Sequence, residues 1–409
     1  MLSNGRPYLA IPGPSVMPER VLNAMHRAAP NIYTGELLDM TATILPDLRA
    51  VARTDHHVAI YIANGHGAWE AALSNVVAPG DTVLVLATGR FGHGWAEMAE
   101  GLGVSVQTHD FGQRDAFDLA KVEQTLAADK GGRIKAILAV FVDTSTGIKN
   151  DIKGLRDVMD ATGHGALLMA DCIASLGCDR FEMDAWGVDV TIAASQKGLM
   201  TPPGLGFVWF NDKAAAARAQ MPRVSRYWDW APRVNPDGYW QHFDGTAPTH
   251  HLFGLRAALD MIKEEGLENV WHRHAVLARA VWAACDVWGQ GGPLELNVAD
   301  PARRSHAVTS VMIGAPDGDR LRAWLEQVAG VTLGIGLGRE PADAYFRIGH
   351  MGHVNAHMVL GVLASMDAGL KALGIAHGQG AVAAATQVIA EASGATTAPG
   401  DHSVDHHSG

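Results

Sequence analysis

The sequence predicts an α/β chain, with a large and mostly parallel sheet covered by helices on both sides, followed by a smaller α+β domain. Three observations carry this. Short apolar runs alternate with stretches of helical period from residue 57 to residue 210. The runs are apolar at successive positions, as in strands buried on both faces. Beyond a long helix-forming stretch the pattern changes to shorter mixed segments.

In order along the chain, residues 1–20 form an N-terminal arm. The strand-type runs are "HVAIYIA" (57–63), "TVLVLA" (82–87), "KAILAVFVD" (135–143), "ALLMAD" (166–171), "VDVTIAAS" (188–195) and "GFVWF" (206–210). Helix candidates such as "GAWEAALSNVVA" and "IKGLRDVMDATG" lie between them, which is the βα alternation of a covered parallel sheet. From 252 to 288 the chain is almost all helix former, long enough to bridge from one domain into the next. Then come "HAVTSVMIG", the helix candidate "DRLRAWLEQVAG", "VTLGIGLG" and "YFRIGHMG", and a last amphipathic helix near 380–392. The expected division is a large domain at 21–265, a small one at 266–392 and a polar, disordered tail at 393–409. No internal repeat is found.

Composition bounds the function. A chain of 409 residues with 48% hydrophobic and 18% charged residues can bury a large core and divide into two domains. With 32 basic against 43 acidic residues, the net charge of -11 gives no reason to expect nucleic acid or an anionic membrane as partner. Cys172, Cys178 and Cys285 are too few and too irregular for a disulfide framework or a structural zinc site, so a reducing compartment, the cytoplasm, is expected. No apolar stretch reaches the roughly 18 residues needed to span a bilayer. The N-terminus also lacks the basic start and long apolar run of a signal peptide, so a soluble protein is expected.

In a parallel α/β sheet, ligands bind at the carboxyl ends of the strands, where loops and helix N-termini converge. Two charged residues fall at such ends. Asp171 closes "ALLMAD", and Lys197, in "AASQKGLMTPPG", follows "VDVTIAAS" with no carboxylate in the next ten residues to pair with it. A salt bridge, or a lysine that snorkels to water, is the plain reading. The alternative is chemical: an amine that adds to a carbonyl needs a desolvated setting, and a carboxylate at a strand end can hold a pyridinium nitrogen protonated. Those are two requirements of pyridoxal phosphate. A third, a phosphate site, is offered by "IANGHGAWEAAL", where Gly65, His66 and Gly67 turn from strand into helix and can present bare N–H groups to an anion. The run is neither GxGxxG nor a P-loop.

These residues resemble the class V aminotransferases of the fold type I pyridoxal phosphate enzymes, and among them the alanine:glyoxylate and serine:glyoxylate aminotransferases. The resemblance covers most of the chain, through "IPGPSVMPERVLNAM", "NGHGAWEAALSNVVAPGDTVLVLATGRFG", "DTSTGI", "ADCIASLGCDRFEMDAWGVDVTIAASQKGLMTPPG", "LFGLRAALDMIKEEGLENVWHRHA" and "FRIGHMG". It implies a transaminase that moves an amino group from serine or alanine to glyoxylate, with aspartate as donor or pyruvate as acceptor the alternative. Lys197 resembles the lysine that forms the imine and Asp171 the partner of the ring nitrogen. Gly65 and His66 would bind the phosphate by backbone N–H, Gln196 by its side chain, and Thr144 would lie near the phenolic oxygen. Phe91 stands where relatives stack an aromatic ring on the cofactor. Arg347 resembles the arginine that grips the substrate carboxylate. Thr246 matches a residue reaching the phosphate of a neighbouring subunit, which implies a homodimer with shared sites. Two departures stand out: Phe243 replaces a tyrosine that binds phosphate in some relatives. "PNIYTGELLDM" places Tyr33 and Thr34 where serine:glyoxylate members tend to show His-Arg.

Other signals are read as structural. "GIGLG" (334–338) lacks the βαβ unit and acid of a nucleotide loop and reads as a strand leading to Arg347. The pairs His250/His251 and His272/His274 lack the carboxylates or cysteines of a metal set, so no metal is expected; the tail histidines His402, His406 and His407 would bind metal only adventitiously. Trp228, Trp230 and Trp240 read as packing residues, with a substrate mouth as the other option. A lyase of the desulfurase kind would need a mobile, nucleophilic cysteine, and a binding protein would have no need of Lys197, Asp171 and Arg347 together.

Overall fold

The structure is a computed structural model that describes residues 2–394. The expected disordered tail, with His402, His406 and His407, lies outside the described residues apart from 393 and 394, which end the last helix.

Fourteen strands are named in chain order. They are β1 (Tyr8–Ala10), β2 (His57–Ala63), β3 (Thr82–Ala87), β4 (Ser105–Asp110), β5 (Ile134–Val140), β6 (Val142–Asp143), β7 (Ile148–Lys149), β8 (Leu167–Asp171), β9 (Val190–Ala194), β10 (Gly204–Phe210), β11 (Glu295–Leu296), β12 (Val308–Met312), β13 (Val331–Ile335) and β14 (Tyr345–Gly349). The helices used below are α1 (Glu19–Met25), α2 (Glu36–Ala52), α3 (Gly65–Val76), α4 (Arg90–Gly101), α5 (Leu119–Ala128) and α6 (Ile152–Thr162).

The large sheet has seven strands in the order β2-β10-β9-β8-β5-β3-β4. It is mostly parallel, as the alternation of runs requires, with one exception: β10 is antiparallel to both β2 and β9. The link 195–203 between β9 and β10 holds no crossover helix, so the chain can return only in the opposite direction. Both faces of the sheet are buried. On β2, Val58 and Ile60 join one core cluster while Ala59 and Tyr61 join another; β3 divides in the same way between Leu84 and Leu86 and between Val83 and Val85. That two-sided burial is why these strands show no polar alternation. α3 and α4 cover one face, and α2, α5 and α6 contribute to the core on the other.

The helical stretch expected to run through 252–288 is two helices, Thr249–Glu265 and Leu267–Gly289, broken at Gly266. Its φ of +83° is a conformation that side-chain-bearing residues rarely adopt. The second sheet has the order β1-β13-β14-β12-β11 and packs its core against the Leu267–Gly289 helix and the helix Ala356–Ala372. β1 belongs to the N-terminal arm in sequence but pairs in parallel with β13. The arm therefore starts in the second sheet and then passes over the carboxyl ends of the first.

Candidate active site

At the carboxyl ends of β8 and β9 a cavity of about 120 Å³ is lined by Gly65, His66, Trp69, Phe91, Thr144, Asp171, Gln196 and Lys197, among others. These include seven of the nine residues singled out in the sequence; Arg347 adjoins the site through Thr144, and Thr246 does not line it. A larger cavity, about 970 Å³, lies between the arm and the helix Ala356–Ala372. Its walls are mainly apolar, and Arg6, Glu19 and Arg20 on its rim are already in ion pairs.

Asp171 is the last residue of β8 and is buried. Its Oδ1 accepts the N–H of Ile173 at 2.7 Å, and its Oδ2 accepts the indole N–H of Trp69 at 3.1 Å. Burial pushes this carboxyl up to about 7, against those two hydrogen bonds, which lower it; nearby Asp143 raises it and Lys197 lowers it. Lys197 sits just beyond β9 and donates from Nζ to the carbonyl of Pro12 in the arm. The plain salt-bridge reading therefore does not describe it. Burial and the neighbouring Arg347 bring its amine down to about 8, with Asp171 opposing. A carboxyl raised and an amine lowered in one pocket leave both with ionisation near neutral pH, a pattern concentrated at reactive sites.

The arm is fitted to that lysine. Ser15 donates from its N–H to the carbonyl of Gln196 at 2.8 Å and from Oγ to the carbonyl of Lys197 at 2.7 Å. Gly13 has φ +101°, and a Cβ there would lie 2.4 Å from Lys197 Nζ. A side chain at residue 13 would both strain that backbone angle and push the Lys197 side chain from its place.

At the start of α3, Asn64 caps the helix by accepting the N–H of Gly67 at 3.2 Å. The N–H groups of Gly65 and His66 have no such partner among the described residues, and they open an anion site at the helix N-terminus. A Cβ on Gly65 would meet Ile173 Cδ1 at 2.5 Å, so a larger residue there would make the Ile173 side chain shift. Opposite, the side-chain oxygen of Gln196 is buried with no partner. A buried polar atom left unpaired in this way marks a place for a ligand or a water.

Arg347, on β14, is 6% exposed. It donates from Nε to the carbonyl of Ile335 at 2.7 Å and from Nη1 to that of Thr144 at 2.9 Å. Those bonds fix the guanidinium plane and leave Nη2 without a partner among the described residues. Burial lowers it to about 10, with Asp143 opposing, so it stays charged at neutral pH. The expectation for "GIGLG" also has its counterpart: β13 ends at Ile335 and pairs with β14, Gly334 lying opposite Arg347.

Two residues were missed in the sequence. Asp143, in "DTSTG", is fully buried; its Oδ2 accepts the N–H of Phe91 at 2.9 Å and its Oδ1 accepts the N–H of Ser145 at 2.9 Å. It thereby anchors the backbone at the start of α4, where Phe91 lies. Trp69 lies in the first turns of α3 and reaches Asp171 as described. An Asp followed two residues later by Ser at a strand end is a turn signal that could have pointed to the first; nothing local points to the second.

Thr246 is exposed and follows Gly245 in an extended turn. Phe243 is buried and packs edge-on against Tyr239, ring centroids 5.8 Å apart, so it serves the core. Trp230 is buried and stacked on Phe210 at 4.1 Å, whereas Trp240 is largely exposed. His250 and His251 contact the carbonyls of Arg27 and Pro203, and His274 contacts that of Val270. Among the described residues no group of His, Cys, Asp and Glu could hold a metal ion, and no helix is long and apolar enough to cross a membrane. The three cysteines are buried and free, and burial raises each thiol, Cys178 to about 12. None is set up as the nucleophile of a desulfurase.

Residues 8–350 match the model of the family described as aminotransferase class-V. Over 398 residues, 95% of this chain and 97% of the relative, the chain is 38% identical to a serine–glyoxylate aminotransferase of Methylorubrum extorquens. It is 36% identical to one of Arabidopsis thaliana, covering 94% of this chain and 96% of that protein. Among solved structures, a ureidoglycine–glyoxylate aminotransferase from Bacillus subtilis superposes with a TM-score of 0.83 at 27% identity, covering 95% of this chain and 99% of the other.

Proposed function

The chain belongs to the class-V aminotransferase family, and on that premise we propose that it transfers the amino group of a small L-amino acid, serine or alanine, to glyoxylate with pyridoxal 5'-phosphate as cofactor. The single observation that carries the reading is one cavity holding a low-pKa amine, a buried carboxylate with a free lone pair, and a helix N-terminus with unpaired N–H groups. The donor and acceptor follow from the curated relatives, which include serine–glyoxylate and alanine–glyoxylate aminotransferases.

When bound, the cofactor supplies an aldehyde that accepts the amino group and a ring that stores electrons. The residues divide the remaining work. Gly65 and His66 would hold the phosphate by backbone N–H and Gln196 by its side-chain amide. Phe91 supplies an apolar face for the ring and Thr144 a polar contact at its edge. Asp171 would pair with the ring nitrogen and favour its protonated form. Lys197 would tether the cofactor at rest, and its amine, when free, is placed to take and return the substrate's α-proton. An amine near 8 is suited to both duties at neutral pH. Arg347 orients the carboxylate of donor and acceptor alike, with Thr144 and Ile335 holding its plane. Thr246 serves the other copy in a homodimer, which accounts for its exposure in one chain. The buried thiols fit a reducing compartment, the cytoplasm.

The test is a product assay: purified protein, pyridoxal phosphate, glyoxylate and single L-amino acids, with glycine quantified. Glycine formed fastest from serine or alanine supports the assignment; glycine from neither, while another acceptor is aminated, removes it.

A further inference from the structure

We propose that Trp69 is a positioning residue for the cofactor's carboxylate partner: its indole N–H fixes Asp171 in the orientation and ionised state that the ring nitrogen requires. The inference rests on the functional reading above. Asp171 has two oxygens and two protein donors. Ile173 N–H occupies Oδ1 and Trp69 Nε1–H occupies Oδ2. With both held, the carboxylate plane is fixed, and each oxygen keeps a second lone pair for a further donor.

The donor is itself held on every side. Trp69 is 1% exposed; its ring stacks on Trp95 at 5.8 Å with 14° between planes, and it meets the rings of His66 at 4.8 Å and Phe91 at 6.3 Å near edge-on. The rings of His66 and Phe91 line the same cavity, so one indole joins the phosphate turn, the stacking ring and the carboxylate. A phenylalanine could fill much of that volume but could not donate. The charged groups facing Asp171 are Asp143 from β6 and Lys197 from beyond β9. Cys172 adjoins it, and His66 faces the cavity from α3 with its pKa lowered by burial. Burial and Asp143 oppose ionisation, and the two N–H donors, together with Lys197, favour the charged carboxylate in the dry pocket.

Removing the indole N–H favours protonated Asp171. The acid limb of the kcat profile should then move upward by about one pH unit, from a lost charge-assisted bond, with kcat reduced by up to about tenfold on the acid side of both midpoints. Substrate KM should stay within about twofold, because Trp69 does not touch the substrate carboxylate site. The experiment compares holoenzyme of the wild type, Trp69→Phe and Trp95→Phe, with a fourth form carrying benzothienylalanine at position 69, which keeps the indole's shape but has no N–H. For each, kcat and KM are measured across pH, and the pH at which the bound cofactor's visible absorption changes is titrated without substrate. The proposal expects both position-69 forms to shift the acid limb and the spectral titration, while Trp95→Phe shifts neither. Three results overturn it: position-69 forms that match the wild type at full cofactor occupancy, a loss of rate without displacement of either pH midpoint, or equal shifts in Trp95→Phe. A wild type that binds no cofactor overturns the functional reading, and the proposal with it.

Discussion

Replacing Arg347 by Ala or Lys probes the substrate side of the site. The guanidinium has two of its donors committed to the backbone, Nε to Ile335 and Nη1 to Thr144, and its remaining N–H groups are left for a substrate beside Thr144. A substrate carboxylate there would gain charge-assisted hydrogen bonds of about 1.5–3 kcal/mol each. Two such bonds, counted as less than additive, give about 3–4 kcal/mol, or roughly a hundredfold to a thousandfold in kcat/KM. The carboxylate keeps its charge through the reaction, so the loss falls mainly on KM and should appear for donor and acceptor alike. Arg347→Ala also frees two buried carbonyls, so thermal unfolding must be measured beside the kinetics. Arg347→Lys separates the effects, since it keeps the charge but loses the planar fork, and should fall between wild type and Ala. Steady-state kinetics in both substrates decides: unchanged KM values in Arg347→Ala, with folding intact, would show that the carboxylate binds elsewhere.

Lys197→Ala should abolish the tether, with loss of the bound cofactor's visible absorption and nearly all turnover; undiminished transamination would remove the mechanism. Gly13→Ala places a methyl group within 2.4 Å of Lys197 Nζ at a backbone angle that suits glycine, so slower cofactor uptake measured by absorbance is expected, and wild-type uptake would contradict the fit of the arm. Asp171 gives a linkage prediction for the cofactor-free protein. Its folded pKa, about 7, lies above the ordinary carboxylate value of 3.8, so the folded state binds more protons between them and the group's contribution to stability falls as pH rises through that window. Asp171→Asn lacks this slope, so its stability relative to wild type, followed by urea unfolding, should improve by about 1–3 kcal/mol between pH 5 and pH 8 even though the variant is inactive. A pH-independent difference would refute the assignment.

The sheet could be read from the sequence because its strands are buried on both faces and appear as uninterrupted apolar runs; β2, β3 and β8 fall where "HVAIYIA", "TVLVLA" and "ALLMAD" place them. The antiparallel direction of β10 could not, since a strand looks the same either way and only the short link after Ala194 fixes it. Three-residue β1 is too short for any periodicity, and its pairing with β13 is a long-range event. Lys197, Asp171 and Gly65 were legible because each stands where a strand ends. Trp69 and Asp143 were not, because each works through a contact far away in sequence: Trp69 to Asp171, and Asp143 to Phe91. Thr246 is exposed and outside the cavity of its own chain, so its expected duty depends on a second copy.

The most direct test of the account is the absorption spectrum of the purified protein, alone and after pyridoxal phosphate, then with single L-amino acids and finally glyoxylate. The account predicts a visible band that bleaches with serine or alanine and returns with glyoxylate, and that is missing in Lys197→Ala. No band after incubation with the cofactor would contradict it and leave Lys197 as an amine held by the Pro12 carbonyl with no chemistry to perform.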